Sequence, residues 1–380
     1  MKILFITDEC FNRSGGGTYI RALINVFERI AGQTEFTVYF PYKTSENQSW
    51  HLDNIMIPEY EKTREIAKIC NLFLGMPTVF SKKSIDYLLH IIKEEKFVYV
   101  VLGRSFYGGI AKLIKVAYPE IKIITFYHDV IDEVIKERFR KENKKAFFRN
   151  LPRLLANYRN EHTSLKYSDK KIVLNERDRK LYVQDYHEEP DAIIPIFSND
   201  YFNDECVRQT DFQICNLIFV GSYYWPNIKG ITWFVQNVMS QMDDSYILYI
   251  IGKDMEKMKQ QLENKGGNVK VIGTVENLDE WYYEADIVVG PIFDGIGMKT
   301  KTVEAFMYGK TYLGTTEAFC GFVQMDDYIC NSAEEFIHNI RKYSKLRGKK
   351  RFSEHFRKMY VENYSEEIIE QKIKKLLDMH

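Results

Sequence analysis

The chain has no excess of either charge sign, with 53 basic and 53 acidic side chains among 380 residues. A protein that attracts nucleic acid electrostatically carries a basic excess, so we expect no nucleic-acid partner. No apolar run reaches transmembrane length, and the apolar start MKILFIT is too short for a signal peptide. A hydrophobic fraction of 45% still supports full-sized cores. These features predict a folded, cytoplasmic protein.

Cysteine is scarce and shows neither a CxxC pair nor a zinc-ligand spacing. The six cysteines are Cys10, Cys70, Cys206, Cys215, Cys320 and Cys330. We therefore expect reduced thiols and no metal site. The first glycine-rich loop also lacks the pattern GxGxxG, which makes an NAD-dependent oxidoreductase the least favoured enzyme class.

Short apolar runs alternate with helical periodicities along the whole chain. The predicted strands include Ile3–Ile6, Phe36–Phe40, Phe97–Leu102, Ile121–Phe126 and Lys171–Leu174, and then Asn216–Val220, Tyr246–Ile251, Val269–Ile272, the run ending at Val289, and Thr311–Leu313. Regular alternation of this kind favours parallel sheets joined by right-handed crossovers. The length favours two domains, with the exit from the first near residues 193–196.

The stretch Val288–Gly314, VVGPIFDGIGMKTKTVEAFMYGKTYLG, is the most informative part of the sequence. It predicts a strand, a glycine-broken loop, a helix starting near Met298, and another strand. A helix N-terminus behind such a loop can bind an anion. Lys301 and Glu304 are three residues apart and share one helix face, suited to a diphosphate and a ribose diol. The alternative is an ordinary strand-helix-strand unit with a solvated Lys and Glu.

Two other groups of residues lie where predicted strands of the first half end. Gly15, Gly16 and Gly17 separate the first strand from a helix predicted at 18–30, and His128 and Asp129 follow a later strand. Ligands of doubly wound folds bind at this carboxyl edge of the sheet. We expect the glycines to approach a ligand closely and His128 to be catalytic, with Asp129 beside it. The alternatives are a flexible connector and a structural histidine.

The second half begins with a further strand-end loop, SYYWPN, which leads into a helix predicted from Ile228 with Asn227 as its N-cap. Lys229 lies in the first turn of that helix, near the predicted diphosphate position or facing water.

Basic and apolar residues are interleaved between Ile131 and His162. The basic ones are Lys136, Arg138, Arg140, Lys141, Lys144, Lys145, Arg149, Arg153 and Arg159, among Phe139, Phe147, Phe148, Leu151, Leu154 and Leu155. A basic amphipathic helix can lie on an anionic membrane surface. The favoured interpretation of this helix is a solvated one whose apolar side packs on its own domain. The alternative is that the segment 136–159 makes peripheral contact with the inner face of an anionic membrane.

These segments resemble the GT-B glycosyltransferases, and most of all glycosyltransferase family 4 and its group 1 relatives. The resemblance in the second half lies in FVGSYYWPNIKG, IIGKD, VKVIGTVENLDEWYYEADIVVGP, GIGMKTKTVEAFMYGKTYLGTT and EAFCGF. In the first half it lies in SGGGTYIRAL and YHD, so that it covers nearly the whole chain.

The resemblance implies an α/β fold of GT-B type, with two Rossmann-like, doubly wound parallel-sheet domains facing a cleft. Residues 1–197 would form the acceptor domain, completed by the C-terminal helix at 362–380. Residues 198–361 would form the donor domain. The implied reaction moves a sugar from a nucleotide-diphospho-sugar to a glycan or lipid-linked acceptor, with retention and without a metal or cofactor, in surface polysaccharide synthesis.

The resemblance also implies a role for each matching site residue. Gly297, Met298 and Lys301 would hold the diphosphate, Glu304 the ribose, and the backbone of Val275 would border the base. Gly16 and Gly17 would lie near the donor phosphates, and His128 would contact the transferred sugar. The donor-binding set is completed by Gly221, Lys229, Gly252 and Lys299.

The chain departs from the family at two places. Ile296 stands where many members have a sugar-contacting Glu, and SYY stands where they often have an Arg. We expect Asp294 to replace the carboxylate, as a catalytic residue, and Lys299 or Arg104 to replace the charge. These departures leave two alternatives to an active transferase: a non-catalytic, partner-stabilising pseudo-transferase, and a sugar-nucleotide epimerase, for which no acid-base carboxylate pair is evident.

Overall fold

The computed structural model describes residues 1–9, 15–43, 55–57, 71–141, 144–264, 267–295 and 297–378. The chain forms two compact units. The first contains Met1–Pro195 together with Glu370–His380, and the second contains Ile196–Ile369. Among the described residues, every helix is too short or too polar to cross a bilayer.

The first unit is built on a seven-stranded parallel sheet. Its strands are β1 (Ile3–Ile6), β2 (Phe36–Tyr39), β3 (Ile55–Met56), β4 (Tyr99–Leu102), β5 (Lys122–Tyr127), β6 (Lys170–Val173) and β7 (Ala192–Ile193). Their spatial order is β3-β2-β1-β4-β5-β6-β7, and the pairs run parallel. The chain order reverses beside β1, so β1 and β4 flank the switch point of a doubly wound sheet.

Helices connect these strands. They are α1 (Gly15–Ala31), α2 (Lys82–Glu95), α3 (Gly108–Ala117), α4 (Ile131–Lys141), α5 (Lys144–Tyr167) and α6 (Glu176–Tyr186). The end of the chain returns to this unit, where Glu370 forms an ion pair with Arg29 of α1 at 3.2 Å.

The second unit is built on a five-stranded parallel sheet in the order β10-β9-β8-β11-β12. Its strands are β8 (Cys215–Val220), β9 (Tyr246–Ile251), β10 (Val269–Gly273), β11 (Ile287–Gly290) and β12 (Thr311–Gly314). Its helices are α7 (Trp225–Asn237), α8 (Lys259–Glu263), α9 (Asp279–Glu284), α10 (Thr300–Met307), α11 (Ala333–Lys345) and α12 (Glu354–Asn363), followed by α13 (Glu366–Leu376), which spans the unit boundary.

The central strands of both sheets are apolar on both faces because helices cover both sides. All four residues of β1 and of β11 are buried. The predicted α/β fold with two parallel sheets is therefore confirmed.

Two helices begin earlier than predicted. Helix α1 starts at Gly15, so the three glycines form its first turn and are not a connecting loop. Helix α7 starts at Trp225 with Tyr224 as N-cap, and Asn227 is its third residue. The N-cap prediction for Asn227 is wrong, because Pro226 with its fixed φ suits the first turn of a helix.

The basic segment is helical over Ile131–Lys141 (α4) and Lys144–Tyr167 (α5), in agreement with the predicted helical character. Helices α6 and α11 were not predicted, although each has a recognisable start. Asn175 caps α6 by accepting a hydrogen bond from the amide of Asp178. Ser332 and Glu335 form a capping box at the start of α11.

A buried cluster of charged side chains lies at the amino edge of the second sheet, where its strands begin. The Asp286 carboxylate, fully buried ahead of β11, accepts a hydrogen bond from the Asn216 amide at 2.8 Å. Arg347 and Arg351 pair with it at 3.0 and 3.7 Å. Lys310 ahead of β12 donates to the carbonyl oxygen of Ala285 at 3.2 Å. The cluster ties the segment after α11 to the start of three strands.

Helix α7 lies against the backbone that follows β11. A Cβ atom on Gly230 would overlap the carbonyl oxygen of Pro291, so this contact requires glycine. We expect Gly230→Ala to destabilise the protein by at least about 2 kcal/mol, although alanine is the better helix former. Thermal unfolding measures the change. Gly267→Ala is the matched control, since the described atoms leave open space there. A midpoint for Gly230→Ala at or above that of the parent would contradict the packing argument.

Candidate functional site

The carboxyl edge of the second sheet gathers most of the predicted donor-site residues. Gly221 follows β8 and Gly252 follows β9, with φ of +145° at Gly252. A Cβ atom on Gly252 would overlap the carbonyl group of Gly221, so the two strand ends approach as closely as backbones can. Val275 is half-buried two residues after β10. The edge is therefore formed largely by backbone.

The loop between β11 and α10 crosses this edge. It turns at Gly295 and Gly297, which have φ of +141° and +71°. Met298 is buried beneath it. Ile296, where the family resemblance expected a Glu, lies outside the described residues. Helix α10 then starts at Thr300, two residues later than predicted.

Two of the three lysines in the predicted site have acidic partners. Lys229 pairs with Asp294 at 2.6 Å, and the Asp294 side chain is buried. Lys299 pairs with Glu317 at 2.8 Å and also donates to the carbonyl oxygen of Gly297 at 2.6 Å. Their positive charges are therefore largely compensated within the unit, and both ion pairs hold the loop in place.

Lys301 differs from these lysines. Its Nζ donates to the amide oxygen Oδ1 of Asn227 at 2.8 Å and lies 5.1 Å from the centre of the Phe219 ring. No carboxylate of the described residues pairs with it. Burial, aided by the charge of Lys299, lowers the pKa of Lys301 to about 8, while Glu304 opposes that shift. A partly buried cation with a neutral partner is suited to bind an anion.

Glu304 is oriented by an aromatic neighbour. The Tyr282 hydroxyl donates to Glu304 Oε2 at 3.2 Å. The Tyr282 ring stacks on Tyr308 at 4.6 Å, and Tyr308 donates to the Asp279 carboxylate. Lys301 and Glu304 thus lie on α10 as predicted, one held by an amide and the other by a phenol. Tyr282 and Asn227 were missed as site residues.

His128 lies at the carboxyl edge of the first sheet, just after β5. Its ring hydrogen-bonds the backbone carbonyl of Gly103, and its buried Nε2 has no hydrogen-bond partner among the described residues. The ring packs edge-on to Tyr19 at 5.3 Å. Because one nitrogen donates to a carbonyl, the Nε2 atom of the neutral ring is an acceptor.

Burial, with a contribution from the nearby Arg104 charge, lowers the pKa of His128 to about 3. The imidazole is thus neutral at physiological pH. The charge of the following residue, Asp129, acts on Glu161. His128 can accept a hydrogen bond from a ligand but cannot serve as a protonated acid.

A group of charged side chains lies near His128, and only one of its members, Arg104, was predicted from the sequence. Arg104, after β4, pairs with Glu9 and lies 3.9 Å from Asp8, both of which follow β1. The Tyr107 hydroxyl donates to Asp8. A Cβ atom on Gly16 would lie 3.0 Å from Glu9 Oε2, so the first turn of α1 reaches this group. The sequence signal for this group is that polar residues follow two adjacent strands: Asp8 and Glu9 follow β1, and Arg104 follows β4.

Glu161 of α5 is the centre of a second group that was not predicted from the sequence. Its fully buried carboxylate accepts hydrogen bonds from the Ser105 and Tyr186 hydroxyls and from the Ile131 amide at 2.8 Å. Burial outweighs these hydrogen bonds and raises the pKa of Glu161 to about 7. The group ties α4, α5 and α6 to the segment after β4 that contains Ser105.

The described residues contain no group of three or more His, Cys, Asp or Glu side chains that would hold a metal ion. The four cysteines in the described part of the chain are free thiols, namely Cys206, Cys215, Cys320 and Cys330.

The comparisons with known proteins agree with this fold. Residues 215–345 match the family model described as glycosyl transferases group 1. Among solved structures, HepE of Anabaena in complex with UDP has a TM-score of 0.72 at 11% identity, over 100% of both chains. Sucrose-phosphate synthase of Thermosynechococcus elongatus has a TM-score of 0.73 at 14% identity, over 99% of this chain and 98% of its own.

A third solved structure is the lipopolysaccharide outer core galactosyltransferase WaaB, with a TM-score of 0.59 at 12% identity, over 99% of this chain and 95% of its own. No curated protein sequence matches the chain. The chain has the GT-B fold, and the resemblance to group 1 glycosyltransferases is confirmed for the second unit. The family match and the fold together support a glycosyltransferase.

The His128 ring should stay neutral across the physiological range because of its lowered pKa. Ring nitrogen-proton correlations in an NMR titration from pH 8 to pH 5 measure this, with His128→Gln used to assign the signal. We expect one neutral tautomer throughout. A signal that titrates near 6.5, the ordinary histidine pKa, would contradict the buried, uncharged ring.

Proposed function

We propose that this chain is a glycosyltransferase that moves a sugar from a nucleotide-diphospho-sugar to a glycan or lipid-linked acceptor, with retention of the anomeric configuration. The observation that carries the proposal is the pair Lys301 and Glu304 on α10. Lys301 is a cation whose hydrogen-bond partner among the described residues is the neutral amide of Asn227. Glu304 is a carboxylate oriented by Tyr282. A diphosphate and a ribose match these two groups.

Each chemical step is assigned to a residue of this chain. Lys301 and the N-terminus of α10 stabilise the negative charge that develops on the departing diphosphate. Met298 and the Gly297 backbone border the same phosphates, and Val275 borders the base. Lys229 and Lys299 act indirectly, because their ion pairs with Asp294 and Glu317 fix the loop. No resident metal or cofactor is part of the proposal.

In the first unit we assign the sugar contact to His128. Its neutral ring offers Nε2 as an acceptor for a sugar hydroxyl. Gly16 and Gly17 lie in the first turn of α1, and we assign them a position beside the donor phosphates. The Glu9–Arg104 pair beside Gly16 places both charge signs at this edge.

UDP is the first nucleotide to test, since the related HepE structures hold UDP and UDP-glucose. The surface-glycan assignment has support from WaaB, which acts on the outer core of lipopolysaccharide. A non-catalytic binding protein remains the competing function. It would bind the same nucleotide without turning it over.

Lys301→Ala and Glu304→Ala should each weaken UDP binding at least tenfold, because charge-assisted hydrogen bonds contribute about 1.5–3 kcal/mol. Calorimetry with UDP measures the loss, after a thermal-shift screen of UDP-, GDP-, ADP- and dTDP-sugars has identified the donor.

Lys253→Ala, a charge removal on the neighbouring strand-end loop, is the matched control. Parent-like affinity in both site variants would overturn the nucleotide site. Binding without release of UDP from any acceptor-donor mixture would favour the non-catalytic protein.

We also propose that the first unit contacts an anionic membrane through α4 and α5. Phe139, Phe148 and Leu155 of these helices are more than half exposed, and Phe73 is 80% exposed. Arg159 of α5 donates to the Phe73 carbonyl at 3.1 Å, which brings Phe73 beside the helix. Eight basic residues lie between 138 and 159 against one acidic residue, Glu142.

Replacing Lys144, Lys145 and Arg149 by Ala should weaken binding to phosphatidylserine-containing vesicles at least tenfold, since each basic residue near such a surface contributes about 1 kcal/mol. Co-sedimentation with vesicles at two salt concentrations measures the effect. The control variant replaces Lys82, Lys83 and Lys93, which are exposed on α2. Equal losses in the two triple variants, or no binding by the parent, would contradict the membrane contact.

A further inference from the structure

Asn227 makes two hydrogen bonds that together fix its side-chain amide. Its Oδ1 accepts from Lys301 Nζ at 2.8 Å, and its Nδ2 donates to the Ser222 carbonyl at 3.0 Å. The oxygen of an amide only accepts and its nitrogen only donates. The orientation of the amide is thus determined by its neighbours, with the oxygen toward the ammonium.

The packing around Asn227 leaves it little freedom. A Cβ atom on Gly221 would lie 3.0 Å from both Cγ and Nδ2 of Asn227, so the absence of a side chain at the end of β8 makes room for the amide. Asn227 itself belongs to the first turn of α7, which is seated on the Pro291 backbone through Gly230. The side chain of Asn227 is thus held between the end of β8 and the first turn of α7.

A neutral partner leaves the charge of Lys301 available. A carboxylate at the same distance would hold the ammonium more strongly and would repel an incoming anion. The neighbouring Lys229 and Lys299 show that alternative, since each has a carboxylate partner. The other charged groups that act on Lys301 are Lys299 and Glu304.

We propose that Asn227 is the positioning residue that presents the Lys301 ammonium, hydrogen-bonded to an amide and not to a carboxylate, to the phosphates of a nucleoside diphosphate. This inference rests on the proposed function, because it gives Lys301 its ligand. It assigns Asn227 a role in affinity although Asn227 itself contacts no ligand.

The test compares Asn227→Asp with Asn227→Ala. The Asp variant keeps the size of the side chain, and an acidic residue in the first turn of a helix interacts favourably with the helix dipole, so we expect it to fold. At pH 7 we expect Asn227→Asp to bind UDP at least tenfold more weakly than the parent. Asn227→Ala, which leaves the charge free but loosely held, should lose only a few-fold.

Two further measurements separate charge from shape. Inorganic pyrophosphate at pH 7 should show the same order of affinities as UDP, because the effect acts on phosphate. The affinity of the parent for UDP should fall between pH 7 and pH 9, as Lys301 with its pKa near 8 loses its proton. In Asn227→Asp the new carboxylate raises that pKa, so its weak binding should change little over this range.

Each outcome decides a different point. If the parent binds no nucleoside diphosphate, the proposed function itself fails. If Lys301→Ala loses UDP binding while Asn227→Asp binds as the parent does, the nucleotide site stands and the role of Asn227 is wrong. If both Asn227 variants weaken binding equally and keep the pH dependence of the parent, Asn227 is only a structural residue of the loop. Thermal midpoints of both variants identify any loss caused by unfolding.

Discussion

Close backbone approach at the carboxyl edge of the second sheet is the constraint on which the site depends. Helix α7 can lie on the Pro291 backbone only because residue 230 is glycine, and Gly252 meets the carbonyl of Gly221 in the same way. These contacts bring together two side chains 74 positions apart, Asn227 and Lys301. A side chain at residue 230 would overlap the Pro291 backbone on which α7 lies. We expect the resulting shift of α7 to weaken the hydrogen bond between Asn227 and Lys301.

The three lysines at this edge differ in the kind of partner that holds them. The carboxylates of Asp294 and Glu317 hold two lysines that organise the loop, and an amide holds the third. Fixed charges of this kind act on a ligand without reorganising when it arrives, which is the basis of electrostatic preorganisation. In the first unit His128 is kept neutral by burial and by Arg104, so its contribution there is a hydrogen bond and not a charge.

The strands were predictable because continuous apolar runs mark strands that helices cover on both faces, as in β1 and β9. Helix α10 was predictable from the glycines that precede it and from the helical spacing of Lys301 and Glu304. The local sequence does not show which side chains form ion pairs or hydrogen bonds with residues far along the chain. Glu317 is 18 residues from Lys299, and Glu161 is buried on a largely polar helix, so neither partner was visible as one. Asn227 was misassigned because Pro226 moved the helix start by one turn.

The ionic cluster around Asp286 lies at the opposite edge of the second sheet, where the strands begin. It fastens Arg347 and Arg351 to the sheet without using any residue of the loops that follow the strands. The ionic cluster and the proposed nucleotide-sugar site therefore lie at opposite ends of the same strands. Such a separation allows the strand-end loops to change in sequence over evolution while the scaffold keeps its shape.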